Sequence, residues 1–368
     1  MMMHQEESSL CDMYRTCVLC DVSLRDTTHD VGIEGGCAAQ QRREELFHSK
    51  VDKLFQQEYG LGEFGKVIMK RWLKKMADEP KGLERVRDWI LSSVNGKKDV
   101  RKFSKWQREC PDLIPGLRSH QFWTNDDLAG LIQNIESRFP RVLEEFEKQS
   151  KSEKVFQRYL APNWVNPKNL AKDGVGSLAT SSGDWDVCYL KLHNVDFGEN
   201  CVLFPVCMEL LASLGSRSYC HAFFSVLSPN THITKHHGPT NKKLRIHLPL
   251  IVPPGESSGI RVGSETRFFE AGKCLVFDDS FEHEAFNNHP TQGRVCLIMD
   301  YWHPDFSDRE ISILKFLEKG KLKLAKKVCD NQREEGKDSA GSNFYSLLDH
   351  TRKLRKCIPL RDDNTISG

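Results

Sequence analysis

From about Trp164 onward the apolar residues recur at every second position, in short runs separated by turn clusters. A two-residue period puts alternate side chains on opposite faces of an extended chain, so it dictates strands rather than helices. The runs predict strands near Trp185–Leu192, Ser218–Leu227, Leu244–Val252, Gly259–Val262, Thr266–Glu270, Cys274–Phe277 and Val295–Trp302. Turns fall at Ser228-Pro229-Asn230, Pro253-Pro254-Gly255, Ala271-Gly272 and Asn287-Asn288-His289-Pro290. Many short strands at this spacing indicate a sandwich or barrel and count against a parallel α/β sheet.

The flanks read differently. Residues 1–40 are polar and aperiodic and predict a disordered tail. Between 41 and 108 helical spacing dominates: Leu46, Val51, Leu54 and Phe55; then Val67, Met69, Trp72, Leu73 and Met76; then Val86, Trp89, Ile90 and Val94. Gly60, Pro80 and Gly96 break these runs, which predicts a small module of three helices. A further amphipathic helix is expected from Asp126 and Asp127 through Phe146. Past Pro304 the helical pattern returns in Ile311, Leu314, Leu317, Leu322 and Ala325, with a last helix over Ser342–Lys356. The expected organisation is therefore a tail (1–40), a helical module (41–108), a mainly β domain (109–310) and C-terminal helices and tail (311–368).

With 39% hydrophobic and 28% charged residues the chain has the composition of a globular protein with a real core. A net charge of +2 gives no ground for a polyanionic partner, and the cationic HTRKLRK stretch lacks the interleaved aromatics that stack bases, so no nucleic acid is expected. No apolar run reaches the roughly 18 residues of a membrane span. The start MMMHQEESSL lacks the cationic and apolar parts of a signal peptide, which predicts a cytoplasmic protein, or a lumenal one if the N-terminus is incomplete. Thirteen scattered cysteines predict reduced thiols rather than a disulfide framework. Cys17-x-x-Cys20, with Cys11 and either His29 or Cys37, leaves zinc open as an alternative to unpaired thiols.

Chemistry concentrates between residues 232 and 304. His232, His236, His237 and His247 crowd together, and His283 follows several strands later. Imidazole suits iron, zinc and copper, so these residues are candidate metal ligands; the competing reading is histidines hydrogen-bonded at turns. Arg245 and His247 alternate with Leu244, Ile246 and Leu248 and so share one face of a strand, and Arg294 opens another strand. A cationic face inside an apolar sandwich is costly unless an anion meets it, and the forked donors of arginine suit a carboxylate. The alternative is surface arginines paired with local acids.

The order His236-His237-Gly238-Pro239-Thr240-Asn241, then Arg245-Ile246-His247-Leu248, then Phe277-Asp278-Asp279-Ser280-Phe281-Glu282-His283, then Trp302-His303-Pro304 resembles the aspartyl/asparaginyl β-hydroxylase family. The resemblance runs from about Cys110 to Asp308 and takes in Pro115–Leu117, Phe122-Trp123 and Gly183-Asp184-Trp185. It implies an Fe(II)- and 2-oxoglutarate-dependent dioxygenase that also consumes O2, with His236 and His283 as the iron ligands. Ser225 and Arg294 match the residues that bind the distal carboxylate of 2-oxoglutarate. Arg245 and His247 match those at its C1 end and at the substrate, and Trp185 matches an indole beside the cosubstrate. Related oxygenases use two histidines and a carboxylate, and here Gly238 stands where that carboxylate would be. The family implies that water fills the place, with Asp278 and Asp279 near enough in sequence to support it. Phe223 and Phe224 stand where a cation for an acidic substrate is expected, and Cys201 and Cys207 resemble a family cysteine pair at a different gap.

The expected fold is thus a double-stranded β-helix (jelly roll) with flanking α-helices, a mainly β catalytic domain preceded by the small N-terminal helical module. The expected function is hydroxylation of the β-carbon of an Asp or Asn (or similar) residue in a protein or peptide. Two alternatives stand: hydroxylation of a small-molecule amino acid, and a catalytically silent binding module. Retention of both histidines, Arg245 and Arg294 counts against silence.

Overall fold

The computed structural model describes residues 37–78, 82–95, 103–152, 155–163, 165–337 and 346–347. The expected disordered tail, the zinc alternative built on Cys11, Cys17, Cys20 and His29, and nearly all of the helix expected over Ser342–Lys356 lie outside the described residues. The chain divides into two compact units. One runs to Asp99 and takes in Ser307–Leu324; the other comprises Val100–Phe306 and the residues after Leu324.

The first unit holds helices α1 (Cys37–Gln57), α2 (Glu63–Asp78) and α3 (Glu84–Asn95). Helix α1 begins four residues ahead of the boundary expected from the periodicity. It ends at Gln57 and is closed by Gly60, whose φ of 59° lies in the left-handed region, while the N–H groups of Gly60 and Leu61 return to the carbonyls of Gln56 and Phe55. Phe55, Met69, Val86 and Trp89 are fully or almost fully buried, as the three runs predict, and Leu314 and Leu317 add to this core. Glu63 in the first turn of α2 and Lys75 in its last complement the helix dipole.

The second unit is mostly antiparallel β-sheet with flanking helices. Its strands are β1 (Phe122–Trp123), β2 (Gln157–Arg158), β3 (Thr180–Ser182), β4 (Trp185–Leu192), β5 (Val195–Asp196), β6 (Ser218–Leu227), β7 (Thr231–His236), β8 (Lys243–Ile251), β9 (Ser258–Val262), β10 (Glu265–Phe268), β11 (Leu275–Phe277), β12 (His283–Asn287) and β13 (Arg294–Trp302). One sheet has the order β1-β11-β8-β13-β6-β4-β2, with β5 on β4; the other has β10-β9-β12-β7-β3. From β6 to β13 the chain passes back and forth between the two sheets, an order consistent with a jelly roll.

The helix expected from Asp126 starts later. Ala129 and Gly130 adopt left-handed φ values of 49° and 80°, which no continuous α-helix tolerates, so Asp127 instead accepts the Thr124 N–H and hydroxyl in a turn. Two helices follow, α4 (Leu131–Glu136) and α5 (Phe139–Ser152); α6 (Gly198–Leu203) and α7 (Pro205–Ser213) come later, and a single helix α8 (Asp308–Glu334) covers the run beyond Pro304. Among the described residues no helix is long and apolar enough to cross a membrane.

Strand β8 shows how the sequence sorts the two faces of the larger sheet. Leu244, Ile246, Leu248 and Leu250 join a core with Val142 and Phe146 of α5 and Leu210 of α7. The intervening Lys243, Arg245 and His247 therefore point between the sheets, where Val187, Phe223, Ile233, Ile260, Phe277 and Ile298 make a second core. Strand β13 repeats the division: Val295, Leu297 and Met299 face the helices, and Arg294, Cys296, Ile298 and Asp300 face inward.

Candidate active site

His236 ends β7 and His283 begins β12, and the two are directly paired across the antiparallel ladder. Their ring centroids lie 4.1 Å apart. The Nδ1 of His236 is 2.8 Å from the Thr234 carbonyl, and the Nδ1 of His283 is 2.8 Å from the Phe281 carbonyl. A carbonyl only accepts, so each Nδ1 carries the proton and each Nε2 keeps a free lone pair. Burial holds the His236 imidazole below its ordinary pKa, and burial followed by the nearness of His236 holds that of His283 well below it. Two neutral, fixed, adjacent imidazoles are able to serve as donors to a metal ion. Among the described residues no group of three or more His, Cys, Asp or Glu side chains forms such a set, so the pair stands without a protein carboxylate.

The reason is visible at Gly238. A Cβ at this position would overlap the Asp279 carboxyl group, and the Gly238 N–H donates to the Asp279 carbonyl at 2.6 Å. The space that a carboxylate side chain at 238 would need is therefore taken by Asp279. That residue is fully buried, and its Oδ1 has no hydrogen-bond partner among the described residues.

A small cavity, partly open to solvent, lies beside the histidines. It gathers all seven residues singled out from the sequence: Trp185, Ser225, His236, Arg245, His247, His283 and Arg294. Its remaining wall is apolar and includes Phe223, Ile233, Ile260, Phe277 and Ile298.

The two arginines are held in opposite ways. Arg245 donates from Nε and Nη2 to the two oxygens of Asp300 at 2.9 and 3.0 Å, and its Nη1 lies 3.4 Å from Asp279. Lys243 bridges the same two acids, at 2.5 Å to Asp279 and 3.2 Å to Asp300. Despite its burial, Asp300 stays well below the usual carboxylate range because Arg245, Lys243 and His221 surround it. Arg294 has no such match. It is 1% exposed, makes no ion pair among the described residues, and its Nε lacks a partner; Nη1 donates, at 3.3 and 3.4 Å, to the carbonyl and hydroxyl oxygens of Ser225, and the guanidinium also contacts the Cys296 thiol. Lys243 and Arg245 are thus balanced by Asp279 and Asp300, whereas Arg294 faces no carboxylate among the described residues.

His247 is buried against Phe269 and Phe277, and burial followed by the nearby Arg294 charge keeps it well below its ordinary pKa. Its Nδ1 is without a partner among the described residues. Trp185 donates from Nε1 to Ser225 Oγ at 3.0 Å and stacks on Tyr159 at 3.8 Å between centroids. Phe223 lines the cavity where a cation was expected, whereas Phe224 points into the helix-facing core. Cys201 and Cys207 are both free thiols.

The segment 103–121 straps the two turns that follow His236 and precede His283. The Gln107 side chain donates to Asp278 at 3.2 Å and Ser280 at 2.8 Å, and it accepts from Ser119. The Trp106 carbonyl accepts from the Glu282 N–H at 2.7 Å. Asn241 makes two bonds to the Ile114 backbone, and Cys110 donates to the Gly238 carbonyl. Sequence reasoning missed Gln107, Lys243, Tyr159 and Asp300. A signal existed for the second and fourth: Lys243 continues the Arg245–His247 alternation, and Asp300 continues that of Arg294.

Residues 136–304 match the model of the aspartyl/asparaginyl β-hydroxylases. That stretch is a domain of the aspartyl/asparaginyl β-hydroxylase family. Human aspartate β-hydroxylase domain-containing protein 2 is 34% identical over 233 residues, covering 60% of this chain and 59% of that protein. Mouse aspartyl/asparaginyl β-hydroxylase is 30% identical over 213 residues, 56% of this chain and 26% of that protein. The chain therefore spans about 59% of the first of these relatives and much less of the second. A solved oxidoreductase of the 2OG-Fe(II) oxygenase family from Burkholderia pseudomallei covers 35% of this chain and 74% of its own at 12% identity; its TM-score of 0.25 is too slight to carry an argument.

Proposed function

We propose that this chain is an Fe(II)- and 2-oxoglutarate-dependent dioxygenase that hydroxylates the β-carbon of an Asp or Asn (or similar) residue in a protein or peptide. The observation that carries this reading is Arg294, a buried guanidinium without a carboxylate, in one cavity with two neutral imidazoles whose Nε2 atoms are free. Burying an unmatched charge costs several kcal/mol, a cost that makes sense when an anionic ligand completes the site. A silent binding module has no use for it.

The residues fit the cofactor that the family implies. His236 and His283 would hold Fe(II) through Nε2. Bound there, the iron with 2-oxoglutarate and O2 supplies the oxidising power for C–H hydroxylation, the cosubstrate leaving as succinate and CO2. Arg294 and Ser225 would take the distal carboxylate, and Trp185 fixes the Ser225 hydroxyl by donating to it. His247 and Arg245 flank the other end of the acid, with Arg245 oriented by Asp300. Asp279 Oδ1, buried without a partner among the described residues, would accept a hydrogen bond from a water held in the site. The apolar wall of Phe223, Ile260 and Phe277 excludes bulk water from the reacting carbon. A free amino acid in place of a peptide uses the same machinery, so the substrate distinguishes the two versions.

Binding tests this without turnover. With Mn(II) as a redox-inert stand-in, 2-oxoglutarate should raise the Tm of the wild type, and His236→Ala should lose that shift. Equal shifts in both proteins would remove the metal site from the account.

A further inference from the structure

Phe269 does not line the cavity, yet it backs the two residues that would grip the cosubstrate. It follows β10 and is 5% exposed. Its ring lies at 22° to the His247 imidazole with centroids 5.8 Å apart, and the Arg294 guanidinium carbon is 5.0 Å from its centroid. The backbone that carries it is tied down, since the Phe269 N–H donates to the Ser258 carbonyl at 3.0 Å.

Arg294 needs such a wall. Its two contacts to Ser225 are long, and no carboxylate anchors it. A long arginine side chain held so loosely would otherwise sample several depths. A guanidinium on an aromatic face gains a further cation–π attraction when desolvated, which draws it onto the ring. The ring therefore limits where the guanidinium can rest in the cavity it shares with His236 and His283.

We propose that Phe269 sets the length of the dicarboxylate the site accepts, acting as a specificity-determining residue behind Arg294 and His247. This rests on the cosubstrate reading above. Removing the ring leaves room for the guanidinium to withdraw, which favours an acid one methylene longer than 2-oxoglutarate.

The test uses the full chain with Mn(II), as wild type, Phe269→Ala and Phe269→Leu, titrated with 2-oxoglutarate and with 2-oxoadipate. The wild type should prefer 2-oxoglutarate by about tenfold or more, the usual worth of one methylene in a shaped pocket. Phe269→Ala should weaken 2-oxoglutarate and narrow or reverse the preference, with Phe269→Leu between them; if Phe269→Ala fails to fold, Phe269→Leu carries the comparison. Equal loss for both acids, with the ratio unchanged, would mean that Phe269 only packs the core and would overturn the proposal while leaving the cosubstrate reading intact. A wild type that binds neither acid would overturn both.

Discussion

His236 and His283 face each other across one rung of the smaller sheet, and each is locked by an Nδ1–H bond to the carbonyl two residues before it. The geometry preorganises two imidazoles with their second nitrogens unprotonated, before any metal arrives.

Gly238→Asp restores on paper the carboxylate that related oxygenases use. In this fold the new side chain collides with the Asp279 carboxyl, itself tied to Lys243 at 2.5 Å. The variant should bind Mn(II) more weakly than the wild type and melt earlier. Metal titration followed by differential scanning calorimetry checks it; tighter metal binding would contradict the account.

Arg294→Met separates function from stability. It deletes a buried charge that no carboxylate among the described residues matches, so the ligand-free protein should gain about 1–3 kcal/mol. The same variant should lose the Tm increase produced by 2-oxoglutarate. Urea unfolding with and without the acid measures both quantities, and a marked loss of stability without ligand would show that Arg294 serves the fold.

Gln107→Ala cuts the strap at its polar centre. Asp278 and Ser280 lose a buried donor, which should cost about 1–3 kcal/mol and loosen the turn ahead of His283. Weaker Mn(II) affinity than in wild type, with the Arg294 end of the site unaffected, is the expected result of a binding titration.

His193 and His221 predict a pH effect. Their rings are in contact through a 3.3 Å Nδ1–Nε2 hydrogen bond, and burial is the main cause holding both below their ordinary pKa, His193 at about 3. For His193, between the ordinary value of 6.5 and about 3, the unfolded chain binds the proton that the folded chain refuses, so stability falls as pH falls through this window. His193→Asn, which tolerates the φ of 50° at this turn, should lose about 1 kcal/mol less than wild type between neutral pH and pH ~5. Calorimetry at the two pH values measures the difference.

Much of the sandwich was legible in the sequence, because apolar alternation marks a strand whichever sheet it joins. The strands at 185–192 and 218–227 have the predicted limits. The two strands that carry the histidines were not predicted. In Thr231–His236 only Ile233 is strongly apolar, and Glu284 and Asn287 dilute β12, so polar groups needed for chemistry hide the period. Lys243 and Asp300 were obscured for a related reason: a charged face on a strand reads as solvent-facing, whereas here the apolar face of β8 meets helices and the charged face lies inside. The late start of α4 depended on left-handed Ala129, which no residue type announces.

On the proposed function, the His236–His283 pair and Arg294 serve one oxidative reaction. Its most direct measurement is succinate formation from 2-oxoglutarate by the purified chain with Fe(II), O2 and ascorbate, for wild type, His236→Ala and Arg294→Met. Iron-dependent succinate in the wild type, abolished in His236→Ala and lost at low 2-oxoglutarate in Arg294→Met, is predicted. Undiminished succinate in His236→Ala, or no 2-oxoglutarate binding and no succinate in the wild type, would contradict it.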